Sequence, residues 1–541
     1  MSRTRAIAGC VIALCAASGA AREHRHATGE KLGAVHFATS CNEQAQKEFD
    51  RAVALLHSFQ FSEAIRGFNV ALHSDSKCSI AYWGIALSQW SNPFAAGMKD
   101  KKQLEAGRQA AEQGKVAGAK TERERAYIAA VAELYRDFEN TPQQKRLLAY
   151  RNAMENLATK YSEDHEGQIF YALALAAAEE PADKSYAARL KAGAILEKLF
   201  EQEPNHPGLA HYIIHTYDVP ALAPRALTAA QRYSEIAPDA PHALHMPSHT
   251  FTRVGYWQES IDSNRAAAAA ARREGQTAEE LHASDYQVYA YLQTAQDQAA
   301  RQVLDSLPEI ASRFDPKVVV SGAAGPSAGY FALAAIPARY ALERGDWKRA
   351  SDMQPRETPF PYADAMTWFA LGVGAARLHD VAKAQASEQA LLNIRARLEK
   401  ANETYWAGQV EIQRLEVNAW AQFAQGEKDV ALTTMMSAGE MEDGTEKNAI
   451  TPGPLAPARE LLGEMLLQMN EPAKALEQFE AALKKEPNRF RATYGAARAA
   501  QQSGNAAASR KYFGALLSMC ERADKPGRAE ILEANKAISQ Q

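Results

Sequence analysis

The chain has 541 residues, too many for one ordinary globular core, so it holds either several domains or an array of repeats. Hydrophobic residues make up 46% and stretches that alternate apolar with polar are scarce, which argues against a β-rich fold and predicts an all-helical one. A net charge of −4 gives no electrostatic basis for a nucleic-acid partner, so basic clusters such as KDKKQ and KKEPNRFR read as solvated helix faces and ends.

The first residues carry an export pattern. Arg3 and Arg5 precede the apolar run AIAGCVIALCAA, and small residues end the segment at Ala20. This predicts a signal peptide over 1–20, a flexible mature start over 21–40, and a periplasmic or secreted protein. IAGC, ending at Cys10, resembles a lipobox, but the apolar run continues past it, which makes a lipoprotein the weaker reading. No later stretch approaches the ~18 apolar residues of a membrane span, so no transmembrane anchor is expected. His24, His26 and His36 lie near the mature start and fit a tail better than a ligand set.

From residue 41 onward helical pairs recur. AQKEFDRAVALLHSFQFSEAIRGFNVAL places Ala64, Phe68 and Ala71 along a second helix. PNHPGLAHYIIH and PDAPHALHMPSH then share the pattern P-x-x-P-x-x-x-H-x-x-x-H at an offset of ~34 residues. AMTWFALGVGAARLHDVAKAQ repeats the spacing with Trp368, Leu371, Gly372 and Ala384. ARELLGEMLLQMNEPAKALEQFEAALKKEP does so with Leu462, Gly463, Ala475, Phe479, Ala482 and Pro487, and Phe513 follows Phe479 by one period. Three Pro- and Gly-rich breaks interrupt the pattern, at 313–329, at 353–362 and from Glu440 to the start of the last units. The first is an irregular linker between an N-terminal array, 41–312, and a C-terminal one, 330–541. The third, with Glu446, Lys447 and Arg459 around a Pro-Gly-Pro core, is expected to fold over the groove as a lid or act as a clasp. Cys41 and Cys78 stand one repeat plus about one helical turn apart, near the same ends of neighbouring helices in a stacked array, which predicts a disulfide. Cys520 reads as a buried thiol. Trp83, Trp90, Trp257 and Tyr286 read as packing between repeats.

These units resemble the tetratricopeptide superfamily. The longer pieces ALLHSF, AYWGIAL, HMPSHTFTR, IPARYALERGDW and TPGPLAPARELLGEMLL resemble a family of exported bacterial tetratricopeptide proteins with an HxxHMPSH segment. The resemblance implies an α-solenoid of about ten helix pairs. With unit frames at Pro207, Pro241 and Leu281, it also implies that His211, His215, His242, His245, His249, His282, Asp285 and Tyr289 line the concave groove rather than a core.

The histidines carry the chemistry. His211 and His215, like His245 and His249, are four apart and share a helix face, so each pair can offer two imidazoles to a metal. Pro247 lies inside the second pair and interrupts the helical ladder, which re-aims His245 and His249 toward the first pair. These four are predicted to bind one ion, zinc or copper, with Asp285 or Asp218 as a base or as backing for a ligand. His206 and His242 stand at helix starts, while His57 and His379 are isolated. HYIIH has the two-histidine spacing of a zinc protease but lacks its glutamate, and the phosphate-cradling motif is missing. Two function classes follow: a scaffold that binds a peptide, protein or small ligand in its groove without being an enzyme, or a His-ligated metalloenzyme of hydrolase or oxygenase class.

Overall fold

The computed structural model describes residues 29–95, 99–180, 183–318 and 322–540. The segment 1–20, expected to be a signal peptide, and residues 21–28, including His24 and His26, lie outside the described residues. The described residues form helices and no strand; helices adjacent in sequence pack on one another from Glu43–His57 to Ala529–Ser539, as in a tetratricopeptide-like solenoid.

The spacing of small and aromatic residues explains the stacking. Phe479, on the Pro472–Lys485 helix, slots its ring between the backbones at Gly463 and Gly495 on the flanking helices. A Cβ at Gly495 would sit 2.4 Å from that ring, and one at Gly463 2.8 Å, so only glycine lets the helices close on it. Phe68 does the same against Gly84 in the first repeats. Such contacts bury one apolar stripe per helix and make each unit depend on its neighbours.

Cys41 and Cys78 are bonded, closing a loop with a sequence separation of 37 and tying the first helix pair to the next. Cys520 is buried, and burial pushes its thiol up to about 12, which makes it inert. Between Arg313 and Pro326 the helices are interrupted. No described helix is long and apolar enough to cross a membrane.

One basic cluster departs from the sequence expectation. Within KKEPNRFR, Arg489 is not solvated: it is fully buried, with Nε 2.7 Å from Glu460 and Nη2 2.8 Å from Glu343. Glu460 comes from the preceding unit and Glu343 from a helix 146 residues away, which no pattern within one helix announces.

Candidate metal centre

Four helical segments bring the histidines together. Pro207 starts the helix that carries His211 and His215, and the His206 side chain caps it by accepting the Leu209 N–H. Pro241–His245 holds His242 and His245, and Pro247–Val254 holds His249. Pro247 has no N–H to give the ladder, so one helix becomes two short ones, joined by a tighter bond from the His249 N–H to the Met246 carbonyl. The Thr277–Gln293 helix adds His282 and Tyr286.

The six imidazoles form two adjacent triads. His211, His215 and His242 make one and His245, His249 and His282 the other, and within each triad one ligand atom per residue lies within 4.8 Å of the rest. The predicted four-histidine set is thus divided between the triads, and His242 and His282, expected only as groove residues, complete them. The rings of His215 and His249 are 5.9 Å apart, so the triads abut.

The groove expectation needs correcting for exposure. All six histidines are buried, because distant parts of the chain fill the concave face above them. Phe59 packs edge-on to His211 at 4.4 Å and stacks on His242 at 5.6 Å, and Phe94 stacks on His215 at 4.4 Å. The third break also crosses this face: Ala449 and Thr451 carbonyls accept the Tyr286 O–H, and Lys447 reaches Asp218 at 3.2 Å. A lid thus lies across the histidines, and a peptide cannot reach them without displacing it.

Hydrogen bonds fix which nitrogen each ring presents. The Asn264 amide donates to the Ser260 carbonyl, so its Oδ1 must accept, and His245 Nδ1 donates to it at 2.7 Å. His249 Nδ1 donates to Asp218 Oδ2 at 2.9 Å, and His211 Nδ1 to the His57 carbonyl at 2.5 Å. Each ring therefore turns an unprotonated Nε2 inward, the arrangement that backing acceptors impose on metal-binding imidazoles. Among the described residues His211 Nε2, His215 Nε2 and both nitrogens of His242 meet no hydrogen-bond partner. His242 Nδ1 lies 3.8 Å from Glu279, which also accepts the Ala324 N–H.

Burial, above all, keeps His211, His215, His245, His249 and His282 neutral. Burial pushes His249 down to about 4, against the upward pull of Asp218, and pushes His282 down to about 3 with His249 adding to the effect. His211, His215 and His245 are held well below the usual imidazole range, first by burial and then by neighbouring imidazoles. Burial alone would raise Asp218, but Lys447, Arg253 and His249 more than offset it and keep the carboxylate ionised.

A stability consequence follows for the metal-free protein. His249 and His282 titrate near pH 6.5 once unfolded but only near 4 and 3 when folded, so below pH 6.5 the unfolded chain binds protons that the native one refuses. Their contribution is fully present above pH 6.5 and is lost progressively as pH falls toward about 4. Each ring should cost about 1.4 kcal/mol per pH unit within that window. Denaturant unfolding at pH 7 and pH 5 checks this, and equal midpoints would contradict it.

The remaining predicted residues serve as structure. Asp285 is fully buried against Arg339, with its Oδ1 2.8 Å from Nε, and the Tyr289 hydroxyl accepts from Arg489 at 3.2 Å. Neither belongs to a triad. Tyr286, read as packing, stands against His245 and His249, each at 4.9 Å between ring centroids. His379 occupies a turn with φ 62°. His36 is exposed beside Asp50. Sequence reasoning missed a third cluster, in which His57 and His206 hold Glu166 at 2.9 and 3.1 Å. His57 Nδ1 also meets the Tyr212 hydroxyl at 3.0 Å, and His206 Nδ1 caps its helix, so every imidazole nitrogen there already has a partner. That cluster is a satisfied buried ion network rather than a vacant ligand set.

A cavity of about 40 Å³ opens between the triads, touching His215, His242, His249 and His282 and otherwise walled largely by Phe94, Ala323, Ala324 and Ile450. It has room for roughly two or three waters.

Comparison with known proteins bears on the fold alone. No protein-family model matches the chain, and no curated protein matches it. Among solved structures, the chain is similar to the human IFIT1 dimer with m7Gppp-AAAA at 11% identity, over 89% of this chain and 96% of that one, with a TM-score of 0.37. It is similar to yeast Tom70 at 13% identity over 92% of this chain and 96% of that one, with a TM-score of 0.28.

Proposed function

We propose that this chain is an exported transition-metal protein in which the helical repeats hold two adjacent ions, one on each histidine triad, and that the ions are copper. The observation that carries this is the approach of His245 Nε2 to His249 Nε2 at 3.1 Å. Both rings donate through Nδ1 and both are neutral, so two lone pairs face each other with no proton between them. A tetrahedral ion ~2.0–2.1 Å from each nitrogen sets such a pair about 3.3 Å apart, turning a repulsive contact into ligation. An all-imidazole donor set suits zinc or copper, and copper binds such sites more tightly.

The cavity bears on the reaction class. It is too small for a peptide, and among the described residues its polar lining is Asn92, Ser327, Asn448 and the histidines, with no carboxylate or lysine. Redox chemistry on a small molecule such as dioxygen is therefore better supported than hydrolysis. Export is supported by the N-terminal pattern, by the disulfide and by the resemblance to exported tetratricopeptide proteins carrying HxxHMPSH.

Elemental analysis of protein recovered from the periplasm or medium and dialysed free of loose metal tests the reading. About two copper ions per chain are expected, on a chain that begins after Ala20. Protein that retains no metal after incubation with copper or zinc would return the histidines to a purely structural role.

A further inference from the structure

A second cavity, of about 80 Å³, lies on the far side of the lid, between the Thr404–Ala424 helix and the segment around 442–459. Its apolar wall is aromatic. Tyr362 and Trp406 stack at 4.1 Å, and Tyr405 meets Trp406 edge-on at 4.9 Å.

Two acceptor oxygens of the residues that line the cavity are left unpartnered. Gln413 Oε1 and Glu486 Oε2, which accept, and the Tyr362 hydroxyl, which donates as well as accepts, belong to its lining residues and have no hydrogen-bond partner among the described residues. Glu486 is only 3% exposed and Tyr362 5%. One helical turn beyond Gln413, Glu416 buries a further unpartnered oxygen. The cations at the rim are already engaged. Arg339 holds Asp285, Lys447 holds Asp218, Arg459 holds Asp443, and Lys485 donates to the carbonyls of Glu442 and Thr445. Arg253 Nη1 stands 4.0 Å from the other oxygen of Glu486 and has no hydrogen-bond partner among the described residues, while Nε and Nη2 hold Asp218.

We infer that this cavity binds a small organic cation, a primary ammonium or guanidinium group, with its charge on Glu486 and Glu442 and its alkyl stem against Trp406 and Tyr362. Three features fit such a ligand together: unpartnered buried acceptors, paired carboxylates and an aromatic wall that favours cations. The carboxylates behave consistently with a missing positive charge. Burial pushes Glu442 up to about 7, and burial followed by Glu442 holds Glu416 well above the carboxylate range. The site is separate from the triads and does not depend on a metal there.

Calorimetric titration of the full chain with n-butylammonium, butylguanidinium, 1-butanol and butyrate tests it. Saturable binding of a cation and none of the neutral or anionic chains is expected. Glu486→Gln, which keeps the shape and removes the charge, should weaken that binding at least tenfold. Gln409→Lys, at a half-buried lining position, should abolish it by placing a tethered ammonium in the mouth; it also serves as the test if Glu486→Gln fails to fold. Capped lysine distinguishes the two sources of the group. Affinity equal to that of n-butylammonium supports a peptide side chain, and weaker binding supports a free amine. No saturable binding of either cation, equal binding of 1-butanol, or full affinity in folded Gln409→Lys would overturn the inference.

Discussion

Replacing Asp218 with asparagine should weaken metal binding at the His249 triad about ten- to hundredfold, the usual effect of losing a backing carboxylate. Asp218 is 9% exposed and accepts from His249 Nδ1, fixing the ring's tautomer and raising the basicity of the Nε2 that faces the ion. Asparagine retains an acceptor oxygen but not the charge. The ring keeps its direction and loses the electrostatic push. Competition against a chelator of known affinity reads the change. His211→Ala, on the other triad, serves as the control that loses a ligand without touching Asp218. Unchanged affinity in Asp218→Asn would mean that this carboxylate only neutralises Arg253 and Lys447.

Arg489→Leu should destabilise the chain by about 3–5 kcal/mol, the cost of breaking a buried ion network from one side. Arg489 and its partners Glu343 and Glu460 are 0%, 4% and 0% exposed, and the guanidinium also donates to Tyr289. Removing it leaves two carboxylates buried together with only Arg491, 3.6 Å from Glu460 and shared with Glu464, as a counter-charge. Burial already lifts Glu460 to about 7 with Arg489 present. Changing Glu343 and Glu460 to glutamine alongside Arg489→Leu removes those charges and should recover a large part of the loss. Denaturation midpoints for the two variants decide it. A surface-like change from Arg489→Leu alone would contradict the buried network.

How far the sequence could be read depends on how local each interaction is. The ~34-residue period, Phe479 with Gly463, and the prolines at 207 and 241 all act within one or two helices, so their spacing alone predicts the solenoid. The histidine pairs at i, i+4 are equally local. What completes the triads is not. His282 comes from the next repeat, and the rings that bury the site, Phe59 and Phe94, lie more than a hundred residues away in the chain. Contacts between repeats also hid the His57–Glu166–His206 network and the burial of Arg489, whose partners lie 29 and 146 residues from it. The lid was legible as a Pro-Gly-Pro break with charged flanks, but its landing point on Tyr286 and Asp218 depends on how the solenoid curves.

Copper titration of the metal-stripped protein and two paired variants tests the central claim most directly. His211→Ala with His215→Ala removes two ligands from one triad, and His245→Ala with His249→Ala removes two from the other. Two independent triads predict two tight ions in the parent, one in each paired variant and none when all four are changed. A single tight ion in the parent, lost completely from either paired variant, would contradict that account and show the four histidines sharing one ion.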